Sequence, residues 1–276
     1  MGNSMDSKTS GRVKNKVIVI TGGASGIGFA CAERLVEEGA KVILADLFPD
    51  QGEAAAAAIR ALPGAEVEFV KTDVTMENEQ EALGLATLDR FGRLDGVIAA
   101  AGISNANYLE GKGDEPRAMD AGHVINKAVA DWQKVLDVNL TGVMLTNKVM
   151  ARLMIESESH GSIVNIASVA AKRPLIGAAD YCVSKAGVAM LTQVMAAELS
   201  KLNIRVNAIG PGFIETPMTQ DFRAENEGNM MVMSMTPMGR YGLPVEIANT
   251  ALFLLSDESS YFSGQTLFPA GGMFTG

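Results

Sequence analysis

The stretch Thr21-Gly22-Gly23-Ala24-Ser25-Gly26-Ile27-Gly28 decides the fold of this 276-residue chain. It follows the apolar run Val17–Ile20 and precedes a helix-like stretch from about 27 to 38. The glycines allow a tight turn, and a helix start presents free N–H groups with a partial positive charge. The order strand, turn, helix predicts a binding site for a pyrophosphate, although the turn alone also suits a simple tight connection.

Short runs rich in Val and Ile alternate with helix-like stretches along the rest of the chain. The predicted strands are 17–20, 41–45, 67–70, 96–100, 162–166 and 204–208, and the predicted helices are 27–38, 51–61, 76–91, 129–156 and 179–200. Such strands indicate a parallel sheet covered by helices on both faces. Right-handed crossovers then give an α/β, doubly wound Rossmann fold with ligands at the carboxyl ends of the strands. Because no repeat or linker interrupts this order, residues 14–276 are predicted to form a single domain.

Composition and charge argue against several classes of protein. Hydrophobic residues make up 47% and charged residues 20% of the chain, which excludes a disordered protein. A net charge of −9 argues against nucleic acid as a partner. The two cysteines and two histidines do not have the spacing of metal ligands, so neither a metal site nor a disulfide scaffold is expected. The low cysteine content predicts a cytoplasmic setting. No apolar run reaches membrane-spanning length, and residues 1–13 are expected to form a flexible polar tail.

Asp46 ends the second predicted strand, 18 residues after Gly28. A carboxylate at this point accepts hydrogen bonds from the adenosine ribose and repels a 2′-phosphate, so the predicted cofactor is NAD(H) rather than NADP(H). No Lys or Arg lies in the glycine turn or directly after Asp46 to reverse that preference. The alternative for Asp46 is a solvated strand end. Asp73, after the third strand, is predicted either to bond the adenine amino group or to cap a helix.

Tyr181 and Lys185 stand four residues apart on a predicted helix and therefore share one face. A tyrosine with a free pKa of ~10 is a poor base at neutral pH, but a nearby ammonium and an oxidised nicotinamide lower that pKa. Ser168 directly follows the apolar run Ile163–Ala167, at the predicted catalytic edge of the sheet. Asn139 lies inside a predicted helix, where asparagine is unfavourable, which indicates a kink or a specific hydrogen-bonding role. Each pattern occurs by chance, but together they predict acid/base chemistry beside the cofactor.

These residues resemble the motifs of the short-chain dehydrogenase/reductase family, in its ordinary-length soluble branch. The resemblance covers about residues 14–272 and rests on ordered motifs whose spacing is highly specific. The motifs are TGGASGIG at 21–28, Asp73, Asn139, Ser168, Tyr181-Cys182-Val183-Ser184-Lys185, Asn207-Ala208-Ile209-Gly210-Pro211-Gly212, Glu215-Thr216-Pro217-Met218, Ser263-Gly264-Gln265-Thr266-Leu267 and Gly271-Gly272.

The resemblance implies a role for each predicted site residue. Tyr181 would be the general acid/base, and Lys185 would lower its pKa and bond the nicotinamide ribose. Ser168 would hold and polarise the substrate oxygen, and Asn139 would position a water that links Lys185 to solvent. Ile214 and Thr216 would contact the nicotinamide carboxamide. The predicted cofactor-binding residues are Gly22, Ser25, Gly26, Ile27, Gly28, Asp46, Asp73, Val74, Ala100, Gly102, Tyr181, Lys185, Pro211, Gly212, Ile214 and Thr216.

The chain departs from the family pattern in three places. Ala99-Ala100-Ala101-Gly102 stands where family members usually carry Asn-Asn-Ala-Gly, so amides that bond the sheet and the cofactor are missing. Pro269-Ala270-Gly271-Gly272 lacks the acidic residue that is common before the paired glycines. The stretch from Ile103 to Asn139 is roughly a dozen residues longer than the pattern, which predicts an insertion at about 103–128. This insertion either roofs the substrate or builds a subunit contact.

The segment 213–243 corresponds to the mobile substrate lid of the family. It holds six methionines, namely Met218, Met230, Met231, Met233, Met235 and Met238. Methionine adapts to irregular apolar shapes, which favours a bulky apolar alcohol or ketone, although ordinary core packing accounts for some of the six. Lys172 and Arg173 are predicted either to meet an anionic substrate group at the pocket mouth or to face solvent.

The predicted function is therefore NAD(H)-dependent hydride transfer between a secondary alcohol and a ketone. A 3-oxoacyl thioester reductase is the alternative enzyme, but that group usually prefers NADPH, which Asp46 disfavours. A catalytically silent NAD-binding protein is disfavoured by the intact catalytic set. Family members commonly form tetramers through the two long helices, here about 129–156 and 179–200, so a homotetramer is predicted. Met190, Met195, Ala196 and Ala197 belong either to this interface or to the core.

Overall fold

The computed structural model describes residues 11–105 and 122–276. Within them, seven parallel strands form one sheet in the order β3-β2-β1-β4-β5-β6-β7, which confirms the predicted doubly wound α/β fold. The strands are β1 Val17–Thr21, β2 Lys41–Asp46, β3 Glu66–Lys71, β4 Gly96–Ala99, β5 Ser162–Ile166, β6 Arg205–Ile209 and β7 Thr266–Leu267. The helices are α1 Gly26–Glu37, α2 Pro49–Arg60, α3 Glu77–Phe91, α4 Val129–Leu136, α5 Gly142–Glu156, α6 Ala179–Leu199, α7 Gln220–Ala224, α8 Asn226–Met235 and α9 Pro244–Leu255, with a π-helix Asp137–Thr141 between α4 and α5.

The strand order reverses at β1, which lies between β2 and β4. Val19 in β1 faces Ile43 on one side and Val97 on the other. In open α/β sheets the crevice at such a reversal binds ligands at the carboxyl ends of the strands. The glycine turn that follows β1 therefore lies at the binding crevice.

Alternate residues of β1 pack against the two helical layers, as expected for a strand buried on both faces. Ile18 and Ile20 belong to a core shared with α1, α2 and α9, whereas Val19 belongs to a core shared with α3, α5 and α6. All three side chains are fully buried. The sheet is thus anchored between two apolar layers, and this rigid support positions the loops at its carboxyl edge.

Four C-terminal elements, namely α7, α8, α9 and β7, were not predicted. The strand β7 has two residues, which pair with Ala208 and Ile209 of β6, and a run this short has no readable period. Helix α9 packs along α1 and contributes Leu252 to the core. The predicted helix 129–156 is divided by the π-helix, which contains Asn139. The expectation of either a kink or a hydrogen-bonding role at Asn139 thus coincides with an interruption of the helix, whose π-helical form was not predicted.

The predicted tail and insertion fall partly outside the described residues. The structure does not describe residues 1–10 and 106–121. Most of the predicted insertion at 103–128 therefore lies outside the described residues. The tail prediction is wrong for residues 11–13. Val13 is fully buried in the core, and the backbone amides of Gly11 and Arg12 donate to Glu38. In the described part of the chain, no helix is long and apolar enough to cross a membrane.

Candidate active site

A cavity of about 920 Å³ lies along the carboxyl edge of the sheet. Its walls come from the segments that follow β1, β2, β3, β4, β5 and β6, together with the lid helices. All of the predicted cofactor-binding residues line it: Gly22, Ser25, Gly26, Ile27, Gly28, Asp46, Asp73, Val74, Ala100, Gly102, Tyr181, Lys185, Pro211, Gly212, Ile214 and Thr216. The fold thus brings together at one cavity residues that are scattered along almost the whole sequence.

The glycine turn fits a bound pyrophosphate. Gly22 has a φ of +66°, and a Cβ there would lie 2.7 Å from the Cα of Ala101, so a side chain is excluded by both strain and space. A Cβ on Gly28 would lie 2.2 Å from the carbonyl oxygen of Gly22. Ser25 precedes α1 without capping it through its side chain, so the N–H groups of the first turn have no side-chain partner from Ser25 where this turn lines the cavity.

Asp46 is tied to the glycine turn by hydrogen bonds. Its Oδ2 accepts from the backbone N–H of Ala24 at 3.1 Å, and its Oδ1 accepts from that of Phe48 at 3.3 Å. These contacts hold a carboxylate at the end of β2, on the cavity wall. Such a group can receive ribose hydroxyls and opposes a 2′-phosphate.

Asp73 has a local structural role at the end of β3. Its Oδ1 accepts from the backbone N–H of Thr75 at 2.9 Å and from the Thr75 hydroxyl at 2.7 Å, which forms an Asx turn. The helix that follows is preceded by Met76, so Asp73 is not its N-cap. Asp73 also lines the cavity, and adenine recognition stays a prediction for this residue.

The segment after β4, in which the expected amides are missing at Ala99 and Ala100, is held to Thr21 by its own backbone N–H groups. The N–H of Ala100 donates to the Thr21 carbonyl at 3.2 Å, and the N–H of Ala101 donates to the Thr21 hydroxyl at 3.4 Å. The close approach of Gly22 to Ala101 packs the same two segments together. The departure from the family pattern therefore leaves this wall of the cavity supported.

Ser168 and Tyr181 meet at the cavity wall. Ser168 follows β5 and is buried, and its Oγ accepts from the backbone N–H of Ala170 at 3.1 Å. Tyr181 lies in the first turn of α6 and is half-buried. Burial raises the pKa of the Tyr181 phenol, and its hydrogen bond with Ser168 lowers that pKa in part.

Lys185 is buried one helical turn after Tyr181. Its Nζ donates to the carbonyl of Ile166 at 2.9 Å and lies 5.7 Å from the centre of the Tyr181 ring. Burial lowers the pKa of Lys185 to about 8. In the protein without a cofactor, the pKa of Tyr181 is therefore raised and not lowered as expected. Removal of both groups from water has a larger effect than the charge of the ammonium.

Asn139 is fully buried in the π-helix and does not line the cavity. Its Oδ1 accepts from the backbone N–H of Ile103 at 2.8 Å, and its Nδ2 donates to the Ile103 carbonyl at 2.9 Å and to the Ser184 hydroxyl at 3.2 Å. Asn139 thus joins the segment after β4 to α6, the helix that carries Tyr181 and Lys185. The expected hydrogen-bonding role is confirmed, and the positioning of a water stays a prediction.

Three of the six methionines of the segment 213–243 line the cavity, in agreement with the expectation that only some of them face it. Met218, Met231 and Met235 line the cavity, whereas Met230 and Met238 are exposed and Met233 lies elsewhere. Arg173 also lines the cavity and donates to the carbonyl of Met273 at 3.2 Å, while Lys172 is exposed. The alternative that both basic residues face solvent is therefore correct only for Lys172.

Some lining residues were missed by sequence reasoning. They include Leu47, Phe48 and Gln51 beside Asp46, Lys127 before α4, and the loop residues Pro174, Leu175, Ile176, Gly177 and Ala178. Leu47 and Phe48 directly follow Asp46, so their position in sequence could have identified them. The loop 174–178 has no motif, and only its path from β5 to α6 places it at the cavity.

Known proteins match this chain over almost its full length. The family model described as enoyl-(acyl carrier protein) reductase matches residues 22–274. The 3-oxoacyl-(acyl-carrier-protein) reductase FabG of Thermotoga maritima is 37% identical over 262 residues, which cover 95% of this chain and 99% of the relative. The 2,5-dichloro-2,5-cyclohexadiene-1,4-diol dehydrogenase LinX of Sphingobium indicum is 36% identical over 265 residues, or 96% and 98% of the two chains. A solved short-chain type dehydrogenase/reductase from Mycobacterium ulcerans superposes with a TM-score of 0.86 at 32% identity, covering 96% of this chain and 90% of that one.

Proposed function

The chain belongs to the short-chain dehydrogenase/reductase family, and on this premise we propose that it is an NAD(H)-dependent oxidoreductase that interconverts a secondary alcohol and a ketone. The observation that carries the proposal is the meeting of Ser168, Tyr181 and Lys185 at the wall of one cavity. An acid/base group, a hydrogen-bonding hydroxyl and a buried ammonium are what a carbonyl–alcohol conversion requires.

The residues divide the reaction between proton transfer and hydride transfer. In oxidation, the Tyr181 phenolate takes the proton of the substrate hydroxyl while Ser168 holds the same oxygen. The C–H bond of the carbinol carbon breaks, and the hydrogen leaves with the electron pair as hydride while the C=O bond forms. Reduction reverses each of these changes. A bound nicotinamide supplies the acceptor or donor of that hydride at its C4. When Lys185 is protonated, its positive charge favours the phenolate form of Tyr181, four residues away.

The charge of the adenosine end supports NAD(H) as the cofactor. Asp46 lines the cavity there, next to Leu47 and Phe48. Among the described residues, the basic ones that line the cavity are Lys127, Lys134, Arg173 and Lys185, which come from other segments. The 2′-phosphate of NADP(H) would thus lie beside the Asp46 carboxylate, and the connection between β2 and α2 contributes no cation to offset the repulsion.

The remaining wall supports a bulky apolar substrate. Phe213, Met231 and Met235 face the same cavity as Leu175 and Ile176. Methionine and aromatic side chains in a cavity of about 920 Å³ leave room for an apolar ring beside a dinucleotide. The relative from Sphingobium indicum, whose name records a cyclic diol as its substrate, is consistent with this class.

The proposal is tested by the Tyr181→Phe variant, which removes one hydroxyl and keeps the ring. Turnover of 1-phenylethanol with NAD, and of acetophenone with NADH, is expected to fall by at least about 100-fold. NADH affinity, followed by fluorescence, is expected to change by less than twofold. Tyr261→Phe is the matched control because Tyr261 is fully exposed and outside the cavity lining. Retained turnover in Tyr181→Phe would refute the assignment.

A second candidate activity is reduction of a 3-oxoacyl thioester, which the Thermotoga maritima relative favours by its name. The two candidates differ in substrate and in the expected cofactor preference. Acetoacetyl-CoA and acetophenone, each offered with NADH and with NADPH, separate them. Faster reduction of acetoacetyl-CoA with NADPH would favour the thioester reductase. Tight NADH binding without turnover of any of these probes or of 1-phenylethanol would favour a catalytically silent protein.

A further inference from the structure

The segment 122–128, here called the arm, packs against the loop that leads into the catalytic helix. Lys127 of the arm pairs with Asp180, and Nζ lies 2.9 Å from Oδ2. The two side chains are 11% and 1% exposed. The other carboxylate oxygen, Oδ1, accepts from the backbone N–H of Tyr181 at 2.9 Å. One buried carboxylate therefore connects the arm to the residue proposed as acid/base.

A second contact joins the arm to the same loop. A Cβ on Gly122 would lie 2.6 Å from the carbonyl oxygen of Gly177, so the two backbones touch without side chains between them. Gly177 has a φ of +82°, which favours glycine at that position. Gly122, Lys127, Gly177 and Tyr181 all line the cavity. The arm is thus held at both ends against the cavity wall that carries Tyr181.

The burial of this ion pair distinguishes it from the surface pairs of the chain. The side chains of the surface pair Lys148 and Glu77 are 43% and 44% exposed. Such exposed pairs contribute about 0–1 kcal/mol to the stability of the fold. Burying two charges costs free energy that their attraction does not reliably recover, whereas removing one partner leaves an uncompensated charge. A buried pair is thus better suited to fixing one arrangement of two segments than to adding stability.

We propose that Lys127 and Asp180 are positioning residues that fix the arm to the first turn of α6 and thereby align Tyr181 with the substrate. The inference rests on the proposed oxidoreductase function, since it assigns the pair a role in that reaction. Neither residue belongs to the catalytic set. Breaking the pair is expected to impair alignment of Tyr181 at the substrate, while the glycine turn and Asp46 still bind the cofactor.

The experiment compares Lys127→Met, Asp180→Asn and Lys127→Arg, with Lys148→Met as the control for a lost exposed pair. Asp180→Asn keeps an oxygen for the Tyr181 N–H and removes the charge. We expect kcat for reduction of acetophenone by NADH to fall at least tenfold in Lys127→Met and Asp180→Asn. NADH affinity should change by less than twofold, and Lys127→Arg should recover most of kcat.

Hydrogen exchange gives a readout that does not depend on turnover. In Lys127→Met, faster amide exchange is expected in 122–128 and in 178–182, and exchange in the sheet should be unchanged. Unaltered kcat and exchange would overturn the proposal. Faster exchange throughout the chain with weaker NADH binding would also overturn it, because the pair would then only stabilise the fold. If wild-type protein turns over none of the probes, the proposed function fails, while local exchange still decides whether the pair fixes the arm.

Discussion

At the scale of single residues, burial works against the protonation states that the proposed reaction needs. Burial lowers the pKa of Lys185 to about 8 and raises that of Tyr181, whereas catalysis in the oxidative direction needs an ammonium beside a phenolate. The Ser168 hydrogen bond offsets part of the effect on Tyr181. A buried lysine four residues from a half-buried tyrosine is therefore costly to the fold and useful for chemistry, as is common at active sites.

The first prediction concerns stability against pH at Lys185. Its pKa is about 8 in the folded protein and 10.5 in the reference state, so between these values the unfolded chain binds more protons. The free energy of unfolding from this group therefore rises with pH across that window, by about 3 kcal/mol in total. Urea unfolding at several pH values should show this rise in wild type and its loss in Lys185→Met.

Lys148→Met serves as the control for this measurement, because the Lys148 side chain is 43% exposed. Its unfolding free energy should follow the pH dependence of the wild type. A constant difference between Lys185→Met and wild type from pH 8 to 10.5 would contradict the prediction.

At the scale of elements, the π-helix Asp137–Thr141 connects the sheet edge to α6, the helix that carries Tyr181 and Lys185. The interruption lies in the middle of a continuous helical run, and such segments occur often at functional sites. Asn139 within it makes two hydrogen bonds to the backbone of Ile103 and one to Ser184. The element therefore holds three parts of the site together: the segment after β4, α5 and α6.

The second prediction is that Asn139→Ala lowers the free energy of unfolding by about 2–4 kcal/mol. The substitution removes the hydrogen-bond partner of buried polar groups of Ile103 and Ser184. Chemical denaturation measures this loss. Asn249→Ala removes an exposed amide that accepts from Arg34, and it is expected to cost less than about 0.5 kcal/mol. Equal effects of the two substitutions would show that the Asn139 contacts contribute little.

At the scale of the whole molecule, α6 exposes an apolar stripe. Val183, Met190 and Val194 are 48%, 58% and 46% exposed, and their spacing of seven and four residues places them on one face. Ala196 is buried in the core instead, whereas Ala197 is exposed. Met190 and Ala197 therefore suit the proposed subunit interface, and Ala196 does not.

The third prediction is that Met190→Glu dissociates the proposed homotetramer. A charge in the centre of an apolar interface is costly to desolvate, so assembly should weaken. Sedimentation velocity should find four chains of 29.0 kDa in the wild type and smaller species in the variant. Leu85→Glu is the control, because Leu85 on α3 is 64% exposed and lies outside this stripe. A wild-type mass of one chain would refute the tetramer.

The family, the parallel sheet, the glycine turn and many of the residues at the cavity wall could be predicted from the sequence alone. These follow from local signals: the period of buried strands, the glycine spacing at 21–28, and the four-residue separation of Tyr181 and Lys185. Asn139 was also recognisable, because asparagine is unfavourable in the interior of a predicted helix. Such features depend on residues close in sequence, or on a topology with few alternatives.

Features that depend on residues distant in sequence could be seen only in the folded structure. Lys127 and Asp180 are 53 positions apart, and no motif links them. The burial of Val13, the path of the loop 174–178 and the number of methionines at the cavity likewise follow only from packing. The shifts in the pKa of Tyr181 and Lys185 do so too, because desolvation depends on every atom that surrounds a group and not on its neighbours in the chain.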